Sequence, residues 1–212
     1  VTRMCGELTG EKHIQNELFL NSAKRLNRMI REKSSPGSVG ILARSVKEAV
    51  IQATGYKVSP ESWPDLSAGQ VIYMQKCASC HGSAGAGDGP LASSLRPVPA
   101  NFLNDSVMKR FTSLQAYNTI SLGVKGTAMK GFKELPPDKT WSVAFYIQSL
   151  RFKKMKLNKA RSDSLYHAAM AGVNLKDASS LTDSELIDKM NGNSVFYLVN
   201  SLAFLDKPGE WY

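Results

Sequence analysis

The sequence predicts an all-α fold, and two observations carry that prediction. Apolar residues recur near the helical period in several stretches, and short breaks rich in glycine, proline or serine separate some of those stretches. With 212 residues, 42% hydrophobic and 21% charged, the chain can form one or two domains with a real core. We expect a helical hairpin over 1–60, a central domain over 61–152 and a helical extension over 153–212.

The first segment is predicted to be a pair of helices. Over 11–33 the apolar residues share one face and basic residues lie between them, which is typical of an amphipathic helix. The Ser-Ser-Pro-Gly stretch at 34–37 should end it. A second helix is expected over 38–54, with Gly55 as its C-terminal cap. Because the break is short, the two helices should form an antiparallel hairpin.

The stretch Cys77-Ala78-Ser79-Cys80-His81 is the most informative part of the central domain. Two cysteines separated by two residues and followed by histidine are the pattern of covalent haem attachment. Each thiol adds to one haem vinyl group, and the imidazole lies beneath the iron as its proximal ligand. A redox pair or half of a zinc site are the alternatives. Zinc would need a second cysteine pair, whereas the only other cysteine is Cys5, and a thioredoxin-like site would need a preceding strand.

A glycine-rich stretch, the glycine loop (residues 82–90), follows the histidine. It excludes regular structure and lets backbone pass close to a flat ligand, but it lacks the Gly-Lys-Ser/Thr ending of a phosphate-binding loop. Because a haem-bound imidazole usually donates its other N–H to a carbonyl group, we predict the Pro90 carbonyl as acceptor. Arg96 is either a partner of a haem propionate or a solvated surface arginine.

Met129 is the predicted sixth ligand of the iron. It lies in a glycine-bounded stretch, the Met129 loop (residues 123–131), well beyond His81. A thioether opposite histidine favours ferrous iron and raises the reduction potential. Met74 and Met108 are weaker candidates, because Met74 precedes the attachment motif and Met108 has no glycine loop around it.

The helices of the central domain can be placed from their apolar spacing. Gly69 and Tyr73 lie four residues apart on one helix face, where glycine permits the close approach of another helix. Tyr117 is assigned to the inner face of its helix and to the haem pocket. An aromatic-rich last helix should cross Gly69 and Tyr73 and close the domain. Helices are expected over 67–75, 113–121 and 137–150.

The remaining C-terminal part should be helical as well. A basic run over 151–161 is expected to be a solvated linker, with anionic lipid headgroups as an alternative contact. Helices are expected over 162–171 and 194–205. Thr182 and Glu185 form a capping-box pattern that should open a short helix between them.

The central region resembles a class I c-type cytochrome domain in its attachment motif, its Met129 loop and its aromatic last helix. A finer similarity is to the cytochrome domain of bacterial cytochrome c/iron permease fusion proteins, in which exported haem segments precede a membrane permease with paired Arg-Glu-x-x-Glu motifs. The sequence has no such motif and no apolar run near the roughly 18 residues that span a bilayer. The resemblance implies at most the exported part of such a system, or a stand-alone relative. The similar stretches are 85–90, 99–102, 117–124, 126–129 and 141–146.

Charge and cofactor chemistry indicate the cellular setting. The net charge of +9, from 27 basic and 18 acidic residues, favours an acidic redox partner, a membrane permease or a membrane surface, and no nucleic-acid motif is present. Covalent haem attachment occurs outside the cytoplasm, so we expect a periplasmic or exported protein. The first residue is Val1, from which we expect that a leader or a longer upstream region has been removed. Cys5 is expected to be a free thiol rather than a lipid anchor.

Taken together, the patterns predict an electron carrier with one covalently attached haem c rather than an enzyme, because His81 and Met129 would fill both axial positions. The resemblance implies a role in iron oxidation and uptake. The alternatives are a respiratory shuttle, and a haem enzyme or gas sensor with a labile sixth ligand. Near that ligand, Lys125, Lys130 and Lys133 either steer an acidic partner or form a solvated surface.

Overall fold

The computed structural model describes residues 17–54, 56–152 and 173–189. Within these ranges the regular elements are helical, and an isolated antiparallel bridge joins Gly123 to Lys130. The all-α prediction is confirmed.

Several predicted features lie outside the described residues. They include the helices expected over 162–171 and 194–205, the Gly55 cap and Cys5. Among the helices that are described, none has the length and hydropathy needed to cross a bilayer.

The chain divides into two compact units, residues 1–58 and 59–212. The first contains α1 and α2, and the second contains the other helices and two 3-10 turns, at Ala92–Ser94 and Leu150–Phe152. In chain order the helices are α1 (Glu17–Arg31), α2 (Pro36–Thr54), α3 (Leu66–Lys76), α4 (Ala78–His81), α5 (Asp105–Met108), α6 (Ser113–Leu122), α7 (Pro137–Ser149), α8 (Leu175–Ser180) and α9 (Asp183–Lys189).

The first unit is a helix pair, as its apolar spacing predicts. Helices α1 and α2 pack on each other around buried Ala23, Leu26 and Val46. The break between them covers residues 32–35, so it begins and ends two residues earlier than expected. Pro36 begins α2 instead of ending the break, because its fixed φ and missing N–H suit the first turn of a helix.

The second unit is built on the crossing of α3 and α7, as predicted. A Cβ atom on Gly69 would lie 2.2 Å from the carbonyl oxygen of Ser142, so only glycine allows the two backbones to approach this closely. One turn later, the rings of Tyr73 and Tyr146 lie 5.3 Å apart. Helix α6 covers another side of α7, where Tyr117 stacks on Trp141 with ring centroids 4.3 Å apart. Most of α7 is therefore buried.

The C-terminal segment (residues 173–189) packs within the second unit. Helix α8 contacts α6, and the backbone N–H of Asp183 donates to the carbonyl of Lys109 at 3.1 Å. Helix α9 begins directly after Thr182, as the capping-box pattern predicts, and the Thr182 N–H donates to the Glu185 carboxylate at 2.9 Å. The side chains that this segment buries are Val173, Ala178, Ser179 and Leu186.

Candidate haem site

A cavity of about 740 Å³ lies in the second unit and is lined mainly by apolar side chains. Its wall includes Cys77, Cys80 and His81 of the attachment motif together with Met129. Its volume lies within the range of roughly 300–1,000 Å³ that is usual for ligand and cofactor sites. The fold therefore brings Met129, which is distant in sequence, to the same cavity as the attachment motif.

The attachment motif forms a tight turn at the end of α3. The N–H of Cys77 donates to Tyr73 at 2.8 Å, and the carbonyl of Cys77 accepts from Cys80 at 3.1 Å and from His81 at 2.9 Å. Burial raises the pKa of the Cys77 thiol to about 11, the nearby Cys80 adds to the rise, and Lys76 opposes it. A redox-active cysteine needs the opposite, a lowered thiol pKa.

A zinc centre has no support in the described part of the chain. Across residues 17–54, 56–152 and 173–189, no three His, Cys, Asp or Glu side chains come together as a metal site. A structural zinc site needs four such ligands. The apolar cavity and the single histidine beside the cysteines instead fit a flat, largely apolar cofactor.

The imidazole of His81 is held by backbone. Its Nδ1 atom lies 3.1 Å from the carbonyl oxygen of Ala100, and its ring stacks on Phe102 with centroids 4.6 Å apart. With its proton on Nδ1, the ring offers the Nε2 lone pair to a metal. Burial lowers the pKa of His81, while the hydrogen bond to Ala100 acts in the opposite direction. The neutral, ligand-competent imidazole is therefore favoured.

The prediction that Pro90 accepts this hydrogen bond is wrong. Pro90 is exposed, and the next residue, Leu91, donates to Ser79 at 2.9 Å, which draws the chain towards the motif's backbone. Ala100 takes the position beside the imidazole because the N–H of Phe102 donates to Gly85 at 2.7 Å. That bond fastens residues 99–102 to the glycine loop.

The glycine loop approaches backbone rather than the cavity. The N–H of Gly87 donates to His81 at 2.8 Å, and a Cβ atom on Gly87, whose φ is +77°, would lie 2.7 Å from the carbonyl oxygen of Pro99. The hydroxyl of buried Tyr73 donates to the carbonyl of Gly82 at 2.7 Å and anchors the start of the loop. No residue of the glycine loop lines the cavity, so its glycines instead allow the loop to pack against the backbone around it.

The Met129 loop is a short hairpin-like turn. The N–H of Val124 donates to Met129 at 2.9 Å, and the N–H of Met129 donates to the Thr127 hydroxyl at 3.1 Å. At its base, the N–H of Phe132 donates to Ile120 at 2.8 Å, which ties the loop to α6. These bonds fix the backbone of the half-buried Met129 at the cavity wall.

Part of this unit matches a known protein family. Residues 66–151 match the family model for cytochrome c. The chain contains a cytochrome c domain. The match begins with α3 and ends just after α7, so it includes the attachment motif, the cavity and the Met129 loop. For this domain the family supports covalently bound haem c and electron transfer, and the class I cytochrome fold is confirmed.

Two other comparisons add no functional information. No curated protein matches the chain. A similar solved structure is a chain of the Kuenenia stuttgartiensis reducing HAO-like protein complex, with 22% sequence identity and a TM-score of 0.36. The similarity covers 52% of this chain and 57% of that one, so it spans little more than half of either protein.

Two predicted pocket residues of the cytochrome domain do not lie on the cavity wall. The Arg96 guanidinium donates to the carbonyls of Ser93 at 3.0 Å and Leu95 at 2.7 Å, which turns it back on its own chain. Tyr117 is directed to α7, where it stacks on Trp141. Its helix instead presents Ala116, Thr119 and Ile120 to the cavity.

Sequence reasoning missed a whole section of wall, which we call the wall segment (residues 105–111). Within it, Val107, Met108 and Phe111 line the cavity, and Met108 is only 2% exposed. From its sequence, Met108 is predicted only as a weaker candidate for iron ligation. The available signal was a methionine and a phenylalanine three residues apart just before a helix, a pattern too common to indicate a pocket.

Proposed function

We propose that this chain is a mono-haem c-type cytochrome that passes single electrons on the exported side of the cytoplasmic membrane. The observation that carries the proposal is the shared cavity of Cys77, Cys80, His81 and Met129. The match to cytochrome c supports haem c as the cofactor, and the size of the cavity supports one haem.

In this proposal the attachment motif and the Met129 loop together would hold the haem. The thiols of Cys77 and Cys80 would form the thioethers, and His81 Nε2 and the Met129 sulfur would ligate the iron. When bound, haem c supplies an iron centre that cycles between Fe(II) and Fe(III). Ala100 orients the imidazole, and the apolar walls exclude water, which favours the reduced state of the iron.

The proposed partner is an acidic redox protein, with anionic lipid or a membrane permease as further candidates. Lys76 and Lys130 line the cavity, and Lys125 and Lys133 are exposed in or beside the Met129 loop. Lys76 lies 3.7 Å from Glu134, so part of its charge is compensated. The remaining positive charge supports steering of a negative partner towards the cavity mouth.

We further propose iron oxidation coupled to uptake as the physiological role. Its support is the resemblance of five sequence stretches to the cytochrome domain of cytochrome c/iron permease fusion proteins. The role predicts that Fe(II) reduces the ferric protein at physiological iron concentrations. Absence of that reaction would favour a respiratory shuttle instead.

The ligand set can be tested by expression with a haem-attachment system. The wild-type chain should contain one haem and, when reduced, resist carbon monoxide. Met129→Ala should lower the midpoint potential and open the iron to carbon monoxide. Met74→Ala is the matched control, because Met74 is 46% exposed on α3 and lies outside the cavity wall. Rapid carbon monoxide binding by the wild type would overturn the carrier proposal and favour a haem enzyme or gas sensor.

Steering by lysine can be tested separately from ligation. Lys130→Glu should slow reduction by an anionic reagent and make the rate less sensitive to salt, because exposed charges act through screened long-range attraction. Lys24→Glu is the control, since it makes the same charge change at an exposed site in the first unit. Equal effects of the two substitutions would indicate net charge rather than a local docking surface.

A further inference from the structure

Arg151 is a charged residue buried at the junction of three chain segments. It lies in the 3-10 turn after α7, and its side chain is 3% exposed. Its Nη2 and Nη1 atoms lie 2.8 Å and 2.7 Å from the two carboxylate oxygens of Asp183, a bidentate pair. Nη1 also lies 3.0 Å from Asp105 Oδ1. Buried arginines are rare unless paired, and the planar guanidinium suits this double contact.

The two carboxylates belong to different parts of the unit. Asp105 begins α5 and the wall segment, which lines the cavity through Val107, Met108 and Phe111. Asp183 begins α9 in the C-terminal segment, beyond the residues that match the cytochrome c family. Arg151 therefore joins the cavity wall to a part of the chain that the family domain does not contain.

Two more hydrogen bonds hold the wall segment from the same side. The Asp183 N–H donates to the carbonyl of Lys109 at 3.1 Å, and the Gln148 amide of α7 donates to the carbonyl of Phe111. Helix α5 has only four residues, and Asn104 makes no side-chain cap to it. A helix this short is not stable by itself, because the free-energy cost of forming its first turn is not offset by its few hydrogen bonds.

We propose that Arg151 and Asp183 are positioning residues of the haem site, which hold the wall segment against the cavity. The inference rests on the proposed function, since it assumes that haem occupies this cavity. The C-terminal segment then acts on the cofactor without touching it. With the wall held in place, Met108 and Phe111 exclude water from the haem. With the wall released, solvent exposure of the haem rises and its potential falls.

The test uses the haem-loaded full chain and the variants Asp183→Asn and Arg151→Lys. Asp183→Asn removes the partly buried negative charge, whereas Arg151→Lys keeps the positive charge but loses the bidentate fork. Each should lower the midpoint potential and accelerate carbon monoxide binding by roughly 2- to 30-fold, the range seen for substitutions along packed networks. Asp105→Asn, at a side chain that is 69% exposed, should act in the same direction but more weakly.

The control is Asp177→Asn, which breaks the 2.5 Å contact between Asp177 and Lys189 within the same C-terminal segment. It should lower thermal stability and leave the potential and carbon monoxide binding at wild-type values. If Asp183→Asn likewise lowers thermal stability but leaves the midpoint potential and carbon monoxide binding unchanged, the positioning role is overturned. If Asp183→Asn and Arg151→Lys do not fold, Asp105→Asn still tests the proposal. An unchanged midpoint potential in Asp105→Asn would overturn it.

Failure of the proposed function would look different. A wild-type chain without attached haem, or with a pentacoordinate ferrous spectrum, would contradict the ligand set before any variant is compared. A six-coordinate wild type whose variants keep its potential and spectrum would contradict only the positioning role.

Discussion

The substitution Gly69→Ala tests the helix crossing on which the haem domain is built. The added Cβ atom would lie 2.2 Å from the carbonyl oxygen of Ser142 and 2.6 Å from its carbon, both in the backbone of α7. Ordinary contacts of this kind begin near 3.4 Å. Since neither backbone can rotate away as a side chain can, α3 and α7 have to separate by roughly 1 Å.

The expected loss follows from two opposing contributions. Alanine is better than glycine inside a helix by about 1 kcal/mol, whereas overpacking a close contact costs about 1–3 kcal/mol. Because the clash is with backbone, we expect the upper half of that range and a net destabilisation of about 1–2 kcal/mol. For a chain of this size, the loss lowers Tm by roughly 2–8 °C.

Thermal unfolding followed by haem absorbance measures this loss in the second unit. Gly40→Ala in α2 is the matched control, because no atom beyond the helix's own nearby backbone lies within 4 Å of the Cβ position there. That substitution should leave the haem transition unchanged and stabilise the hairpin, as seen by far-ultraviolet circular dichroism. A Gly69→Ala protein as stable as the wild type would show that this contact does not set the distance between the two helices.

Three further substitutions or conditions test the supports of the site. Tyr73→Phe leaves the Gly82 carbonyl without its 2.7 Å donor and should cost about 1–3 kcal/mol in urea unfolding, whereas Tyr117→Phe, which keeps its stack on Trp141, should cost far less. Thr112→Ala removes a reciprocal capping box with Gln115 and should cost about 1 kcal/mol in the same assay; an unchanged midpoint would contradict that role. In the haem-free chain, where the His81 imidazole is not bound to iron, burial lowers its pKa. Its stabilising contribution is then complete above the ordinary histidine pKa and is lost as pH falls below it, so the Tm of the haem-free chain should drop between about pH 7 and pH 5. A Tm that rises on acidification would contradict this sign.

The sequence was sufficient for the parts of the fold that depend on side-chain type and spacing. The helical period predicts α3, α6 and α7 to within one or two residues at each end. The crossing at Gly69 was also predictable, because the absence of a side chain on a helix face has few explanations other than close approach. Likewise, the attachment motif indicates its cofactor because thiol and imidazole chemistry is specific.

The wrong predictions share a different physical basis. Every residue has a backbone carbonyl, so nothing in the sequence distinguishes Ala100 from Pro90 as the acceptor for His81. The choice depends on where a loop closes, here through the bond between Phe102 and Gly85. Arg151 was expected to be solvated as the first member of a basic run, yet it is buried because two aspartates distant in sequence converge on it. A local sequence pattern does not show which distant residues will meet a side chain in the fold.

The orientation of the proximal imidazole depends on a series of backbone contacts that begins at Tyr73. Its hydroxyl fixes Gly82, the loop then turns so that Gly85 accepts from Phe102, and this bond brings the Ala100 carbonyl to the imidazole. Gly85 has a φ of +84°, which favours glycine, and a Cβ atom there would lie 2.7 Å from the Cδ1 atom of the Leu150 side chain at the end of α7. The α3–α7 crossing and the imidazole are thus linked through backbone, and a disturbance of the helix crossing should reach the iron ligand through this loop.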